Sequence, residues 1–81
     1  MLRPEFTLLT RAECGLCAEM RAALHAHAGG RSYVCHIQDV DEDAGTRETW
    51  GLRVPVLLCG RRLVCEGRFE PARAEQEFGA G

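Results

Sequence analysis

Lysine is absent from the chain: all ten basic residues are arginine, a skew more simply read as codon bias than as chemistry. Also absent is any stretch near the ~20 apolar residues of a membrane-spanning helix, which excludes an integral helical protein. The opening Met1-Leu2-Arg3-Pro4-Glu5 leads into only a short apolar run, with neither the h-region nor the small-residue cleavage site of a secretory signal. A cytoplasmic protein is therefore expected, in a compartment that keeps most thiols reduced. Positive charge is not in excess: ten basic against twelve acidic residues, for a net charge of -2 and a pI near 5.9, leave no basic face for nucleic acid. Cysteines number five, and an odd count excludes a complete disulfide framework. A second C-x-x-C is missing, whereas zinc takes four ligands, usually as two close pairs. In 81 residues there is room for one small domain, 1–81, and no second. No repeat, linker or low-complexity segment interrupts it.

What is present concentrates at Thr10-Arg11-Ala12-Glu13-Cys14-Gly15-Leu16-Cys17, which joins an expected strand, Phe6 to Thr10, to an expected helix from about Leu16 to Ala28. A helix start offers free backbone N–H groups and the positive end of the macrodipole, and both favour a thiolate. The pKa of Cys14 should thus fall below the ~8.5 of a free thiol. Cys17 follows one helical turn on, close enough to close a short ring on oxidation. A C-x-x-C after a strand and at the mouth of a helix is the thioredoxin-like redox signal.

The remaining chain reads as β-α-β-α-β-β-α. Glu5 to Thr10 has the nearly continuous apolar centre of a strand buried on both faces. Leu16, Met20 and Leu24 form a helical stripe with Cys17 and Ala23 beside them, and Gly29-Gly30 ends the helix. Ser32 to Ile37 is a second strand, which must run parallel to the first after a right-handed crossover. Asp41 is expected to cap a short second helix, with Glu42 and Asp43 in its first turn. That helix should end near Trp50, with Gly51 as its left-handed cap and Leu52 closing the cap by an apolar contact. Val54 to Cys59 is a strand entered through Pro55, Gly60-Arg61 a two-residue turn, and Arg62 to Cys65 the returning strand. In that register Cys59 meets Arg62 and Val56 meets Cys65, so Cys59 and Cys65 point to opposite faces and should not bond to each other. Pro71 opens a last helix through about Phe78, with Ala74 and Phe78 on one face.

This element order, the C-x-x-C at the first βα junction and the Val-Pro opening the third strand resemble the glutaredoxin branch of the thioredoxin superfamily, over about Phe6 to Phe78. The small glutaredoxin-like proteins are the most similar, through the basic residue three positions before the first Cys (Arg11), the Asp39-Val40-Asp41 stretch and Gly51-Leu52-Arg53-Val54-Pro55-Val56. The resemblance implies a four-stranded mixed sheet with helices on both faces. It implies a cis Pro55 lying against the Cys14-Cys17 pair, and Val54 backbone left free for an extended thiol substrate. Cys14 and Cys17 would be catalytic, with Arg11, Gly15, Leu16, Arg53, Val54, Pro55, Gly67 and Arg68 on the substrate side. Arg11 would add positive potential near the thiolate and meet a substrate carboxylate. The pattern departs from glutathione-binding relatives: Leu16 stands in place of an aromatic, Arg53 in place of Thr, and only Gly67 remains of a Gly-Gly-Asp stretch.

The reading is a monomeric thiol–disulfide oxidoreductase acting in electron transport and cell redox homeostasis. Its substrate is a disulfide-bearing protein or small thiol, with no bound metal or cofactor. Glutathione, as redox cosubstrate, or a reductase would restore the dithiol. Weak glutathione binding is expected, with the dithiol route dominating. The competing class is a thioredoxin-fold module that docks a protein partner or holds a metal or iron–sulfur centre through the C-x-x-C. Cys35, Cys59 and Cys65 read as small buried hydrophobes and Trp50 as core. His25 and His27 complement the helix C-terminus, and His36 reads as a structural strand residue.

Overall fold

The computed structural model describes residues 3–79. Its elements are β1 (Glu5–Thr10), α1 (Gly15–Ala28), β2 (Val34–Asp39), a 3-10 turn (Val40–Glu42), α2 (Ala44–Trp50), β3 (Val56–Cys59), β4 (Arg62–Glu66) and α3 (Pro71–Gly79). The four strands form one sheet in the order β2-β1-β3-β4. β1 and β2 are parallel, and the β1–β3 and β3–β4 pairs are antiparallel. This is the mixed sheet of the thioredoxin-like fold.

β1 is central, so both its faces are buried. Phe6 and Leu8 alternate onto one face, where they join Met20 and Leu24 of α1, Leu57, Cys59, Val64 and Cys65 of the hairpin, and Ala74 of α3 in a continuous core. Leu9 and its partner Val56 alternate onto the opposite face and are equally buried. α1 buries Cys17, Met20, Leu24 and Ala28, a stripe at intervals of three and four residues. Gly29 ends it with φ 58°, a left-handed conformation that costs glycine nothing. α3 packs on β1 and α1 through Phe78, whose ring centroid lies 5.8 Å from that of Phe6 and 6.0 Å from that of His27, and through Glu75, which accepts from His27 Nε2 at 2.8 Å and Arg31 Nη1 at 2.8 Å.

Several local expectations shift. β2 spans Val34–Asp39 rather than Ser32 to Ile37, because its limits follow the strand it pairs with: Glu5 faces Val34 and Thr10 faces Asp39. Asp39 therefore ends a strand and caps the 3-10 turn, accepting from the Asp41 amide at 2.8 Å. Asp43, not Asp41, caps α2, accepting from the Thr46 amide at 2.8 Å. That bond holds the Asp43 carboxyl below the usual carboxylate range. Gly51 is right-handed, with φ -54°, so its requirement is space: a Cβ there would sit 2.5 Å from the Arg47 carbonyl oxygen. Leu52 closes no cap and is fully exposed. Trp50 is half-buried, with the Arg53 guanidinium 4.5 Å above its ring, so it is not a core residue. Leu16, expected in the apolar stripe, is 56% exposed.

The hairpin carries the largest correction. β3 starts at Val56, after the proline, and β4 continues to Glu66. Cys59 faces Arg62 as expected, but Leu57, not Val56, faces Cys65, across a bulge between Leu57 and Leu58. The bulge leaves Val64 as an extra residue and resets the alternation. Cys65 thus lands on the face that carries Leu57 and Cys59, and not on the opposite one; both thiols remain free.

Candidate active site

β1 delivers the chain to a sharp reversal at Arg11–Glu13. Glu13 has φ 58°, a left-handed conformation that costs a non-glycine residue about 1–2 kcal/mol, and it sets up the extended Cys14 that caps α1. Cys14 does what Ser or Asp does at other helix starts: its Sγ accepts the Cys17 backbone N–H at 3.1 Å, satisfying one of the orphan donors of the first turn. Cys14 and Cys17 are joined as a disulfide with their Cα atoms 5.3 Å apart. Cys14 is half-exposed and Cys17 is 4% exposed. The outer sulfur is thus open to a substrate and the inner one reaches only its neighbour.

Topology gathers the other loops at this end of the sheet. Leu9, near the end of β1, faces Val56 at the start of β3, and Val56 faces Glu66 at the end of β4. The segments just beyond, Arg11 to Cys14, Arg53 to Pro55 and Gly67 to Arg68, share that edge. The Val54-Pro55 bond is cis, as the resemblance implies, and Pro55 is buried. The Gly67 amide, at φ 74°, donates to the Pro55 carbonyl at 2.8 Å, which ties the Gly67 turn to the proline loop. Gly15 and Leu16 are exposed at the start of α1, and Arg68 is exposed beyond β4.

Two of the expected substrate-side cations are already partnered. Arg11 makes a two-pronged pair with Asp41, Nε to Oδ2 at 3.0 Å and Nη2 to Oδ1 at 3.2 Å. Arg53 does the same with Glu66, Nη2 to Oε1 at 2.8 Å and Nε to Oε2 at 2.5 Å. These bonds raise both guanidinium pKa values and hold the Asp41 and Glu66 carboxyls below their usual range. From the sequence Asp41 is expected as a helix cap, and Glu66 has no expected role. The signal for Asp41 was its place in the Asp39-Val40-Asp41 stretch. Nothing local marks Glu66 or the left-handed Glu13.

The other three thiols sit in a different chemistry. Burial raises the pKa of Cys35, Cys59 and Cys65, and at Cys59 a hydrogen bond to Glu77 raises it further. Cys35 is only half-buried, packed against the core rather than within it. His25 meets the Tyr33 hydroxyl at 3.0 Å and His36 meets Glu5 at 3.3 Å on the surface, both away from Cys14 in the chain. Among the described residues no three His, Cys, Asp or Glu side chains are grouped as metal ligands, and no helix is long and apolar enough to cross a membrane.

Comparison with known proteins agrees with this geometry. The X-ray structure of Northeast Structural Genomics target protein XcR50 from X. campestris is similar in fold, with a TM-score of 0.64 and 28% identity over 94% of this chain and 97% of that one. No curated protein matches the chain. The family model described as glutaredoxin-like domain (DUF836) matches residues 5–78, from the first residue of β1 to the aromatic anchor of α3, and the chain therefore belongs to that glutaredoxin-like family of the thioredoxin superfamily.

Proposed function

We propose that the protein is a thiol–disulfide oxidoreductase that cycles Cys14 and Cys17 between dithiol and disulfide. The observation that carries this reading is the Cys17 amide aimed at Cys14 Sγ at 3.1 Å, at the start of a 14-residue helix. A donor so placed stabilises negative charge on sulfur, and the helix dipole adds to it. The Cys14 thiolate attacks one sulfur of a substrate disulfide, forming a mixed disulfide and releasing the other substrate sulfur as a thiolate that takes up a proton. Cys17 loses its proton and attacks Cys14 Sγ, expelling the second substrate thiol and leaving the Cys14–Cys17 disulfide. Two electrons pass from the protein to the substrate. Glutathione, oxidised in turn, or a dithiol reductase restores the starting state, and this is how the protein would contribute to electron transport and redox homeostasis.

Val54 lies outside the β3 ladder, next to the cis proline, and supports the docking of an extended substrate along that edge. The test is equilibration with glutathione buffers of graded poise, followed by acid quenching and mass analysis. The expected result is a two-electron transition confined to Cys14 and Cys17, and reduction of a protein disulfide that Cys14→Ser abolishes. Absence of any transition, or turnover surviving Cys14→Ser, would overturn the reading.

A further inference from the structure

We infer that Asp41 and Glu66 set the substrate class of this site: they withhold Arg11 and Arg53 from anionic ligands such as glutathione and reserve the dithiol for disulfides flanked by neutral residues. The inference rests on the oxidoreductase reading above and assigns its specificity.

The argument starts from the cations at the site edge. A ligand carboxylate there would look for Arg11, three residues before Cys14, Arg53, two before the cis proline, or Arg68, exposed beyond β4; the first two are the ones already engaged. Both guanidiniums present two N–H groups to a carboxylate of the chain itself, Arg11 to Asp41 and Arg53 to Glu66. That fork-on-carboxylate geometry is the one a free carboxylate ligand would use. The two pairs bracket one turn: the Arg53 amide donates to the Trp50 carbonyl at 2.8 Å, and a Cβ on Gly51 would come within 3.3 Å of Arg11 Nη2. Arg53 is further held over the Trp50 ring. Exposed ion pairs of this kind contribute little to folding stability, so their consequence falls on what the guanidinium offers a ligand. An intramolecular carboxylate competes at a high effective concentration, and a tripeptide with two carboxylates must displace it. A neutral disulfide meets no such competition.

The experiment is calorimetric titration of the oxidised protein with S-methylglutathione, which has both carboxylates and no thiol to exchange. Parent protein should bind it weakly. Asp41→Asn and Glu66→Gln should each tighten binding about fivefold, and the pair together about twentyfold or more. Glu75→Gln frees Arg31 at the far end of α1 with the same change of charge, and should leave binding unchanged. Adding Arg53→Gln to Glu66→Gln should cancel the gain. Tight binding by the parent, an equal gain in Glu75→Gln, or a gain that survives Arg53→Gln would each overturn the inference. The titration needs no turnover; the oxidoreductase reading is tested separately by reduction of neutral 2-hydroxyethyl disulfide, and its failure there would leave the binding result standing on its own.

Discussion

The two ends of the sheet hold sulfur in opposite surroundings. At one end Cys14 is half-exposed and receives a backbone N–H at 3.1 Å. At the other Cys59, near the hairpin turn, is 8% exposed and faces the Glu77 carboxylate, and Cys65, although it pairs with Leu57 next to the site edge, is 1% exposed within the core. An N–H aimed at sulfur favours the anion; a carboxylate beside it and apolar walls favour the thiol. On the proposed function, one residue type is thereby divided into a reactive pair and inert filling, and the division comes from which group points at the sulfur.

The sharpest way to break the comparison is to make the same serine substitution at the solvent-open cysteine and at a core thiol. Cys14→Ser should abolish disulfide reduction while leaving the reduced protein within about 0.5 kcal/mol of the parent, because serine is a good helix cap. Cys65→Ser should keep the activity and lose about 1–3 kcal/mol in urea unfolding, because it buries a hydroxyl in the core. Matching phenotypes would mean the two environments are not distinct.

Alkylation of the reduced protein by iodoacetamide at pH 7 reads the same contrast directly. Each unit of separation in pKa is about tenfold in thiolate fraction, so Cys14 should be labelled at least about tenfold faster than Cys35, Cys59 or Cys65. Unfolding in urea should erase the difference.

Stability against pH should separate the two classes by sign. The raised thiols Cys35, Cys59 and Cys65 contribute stability that is complete below the unfolded thiol pKa of ~8.5 and is lost as pH rises through their folded values. A Cys14 thiolate held by the Cys17 amide, as the proposed function requires, should contribute in the opposite sense, gaining as pH rises towards ~8.5. Urea midpoints of reduced parent and Cys14→Ser between pH 6 and 10 check this: the difference between them should grow up to ~8.5 and then hold, while both decline above it.

The smallest effect is expected at Glu13. Glu13→Gly relieves a left-handed residue and adds freedom to the unfolded chain, for a net gain of about 0.5–1 kcal/mol. A loss of stability would show that the Glu13 side chain, rather than its backbone, matters to the turn.

Much of the fold was legible because its signals are local. Gly29, Pro71 and the apolar run of β1 depend on residues within a turn or two, and each marks its element within one or two positions. Cys14 was legible for the same reason, since a cap is decided by the three residues that follow it. The errors fall where the partner is distant. The limits of β2 were set by β1, and the carboxylates that pair with Arg11 and Arg53 lie 30 and 13 residues away.

The sequence by itself determined the element order, the helix-start cysteine pair and the proline just before β3, because spacing, caps and turn residues act over a few bonds. Only the tertiary structure decided that a bulge beside Val64 turns Cys65 onto the face of Cys59, and that Leu16 and Leu52 are left outside the core. It alone decided that Asp41 and Glu66 occupy the two arginines of the site edge. Those outcomes depend on which strand and which loop are brought alongside, and side-chain alternation and ion pairing across them exist only once the chain has closed.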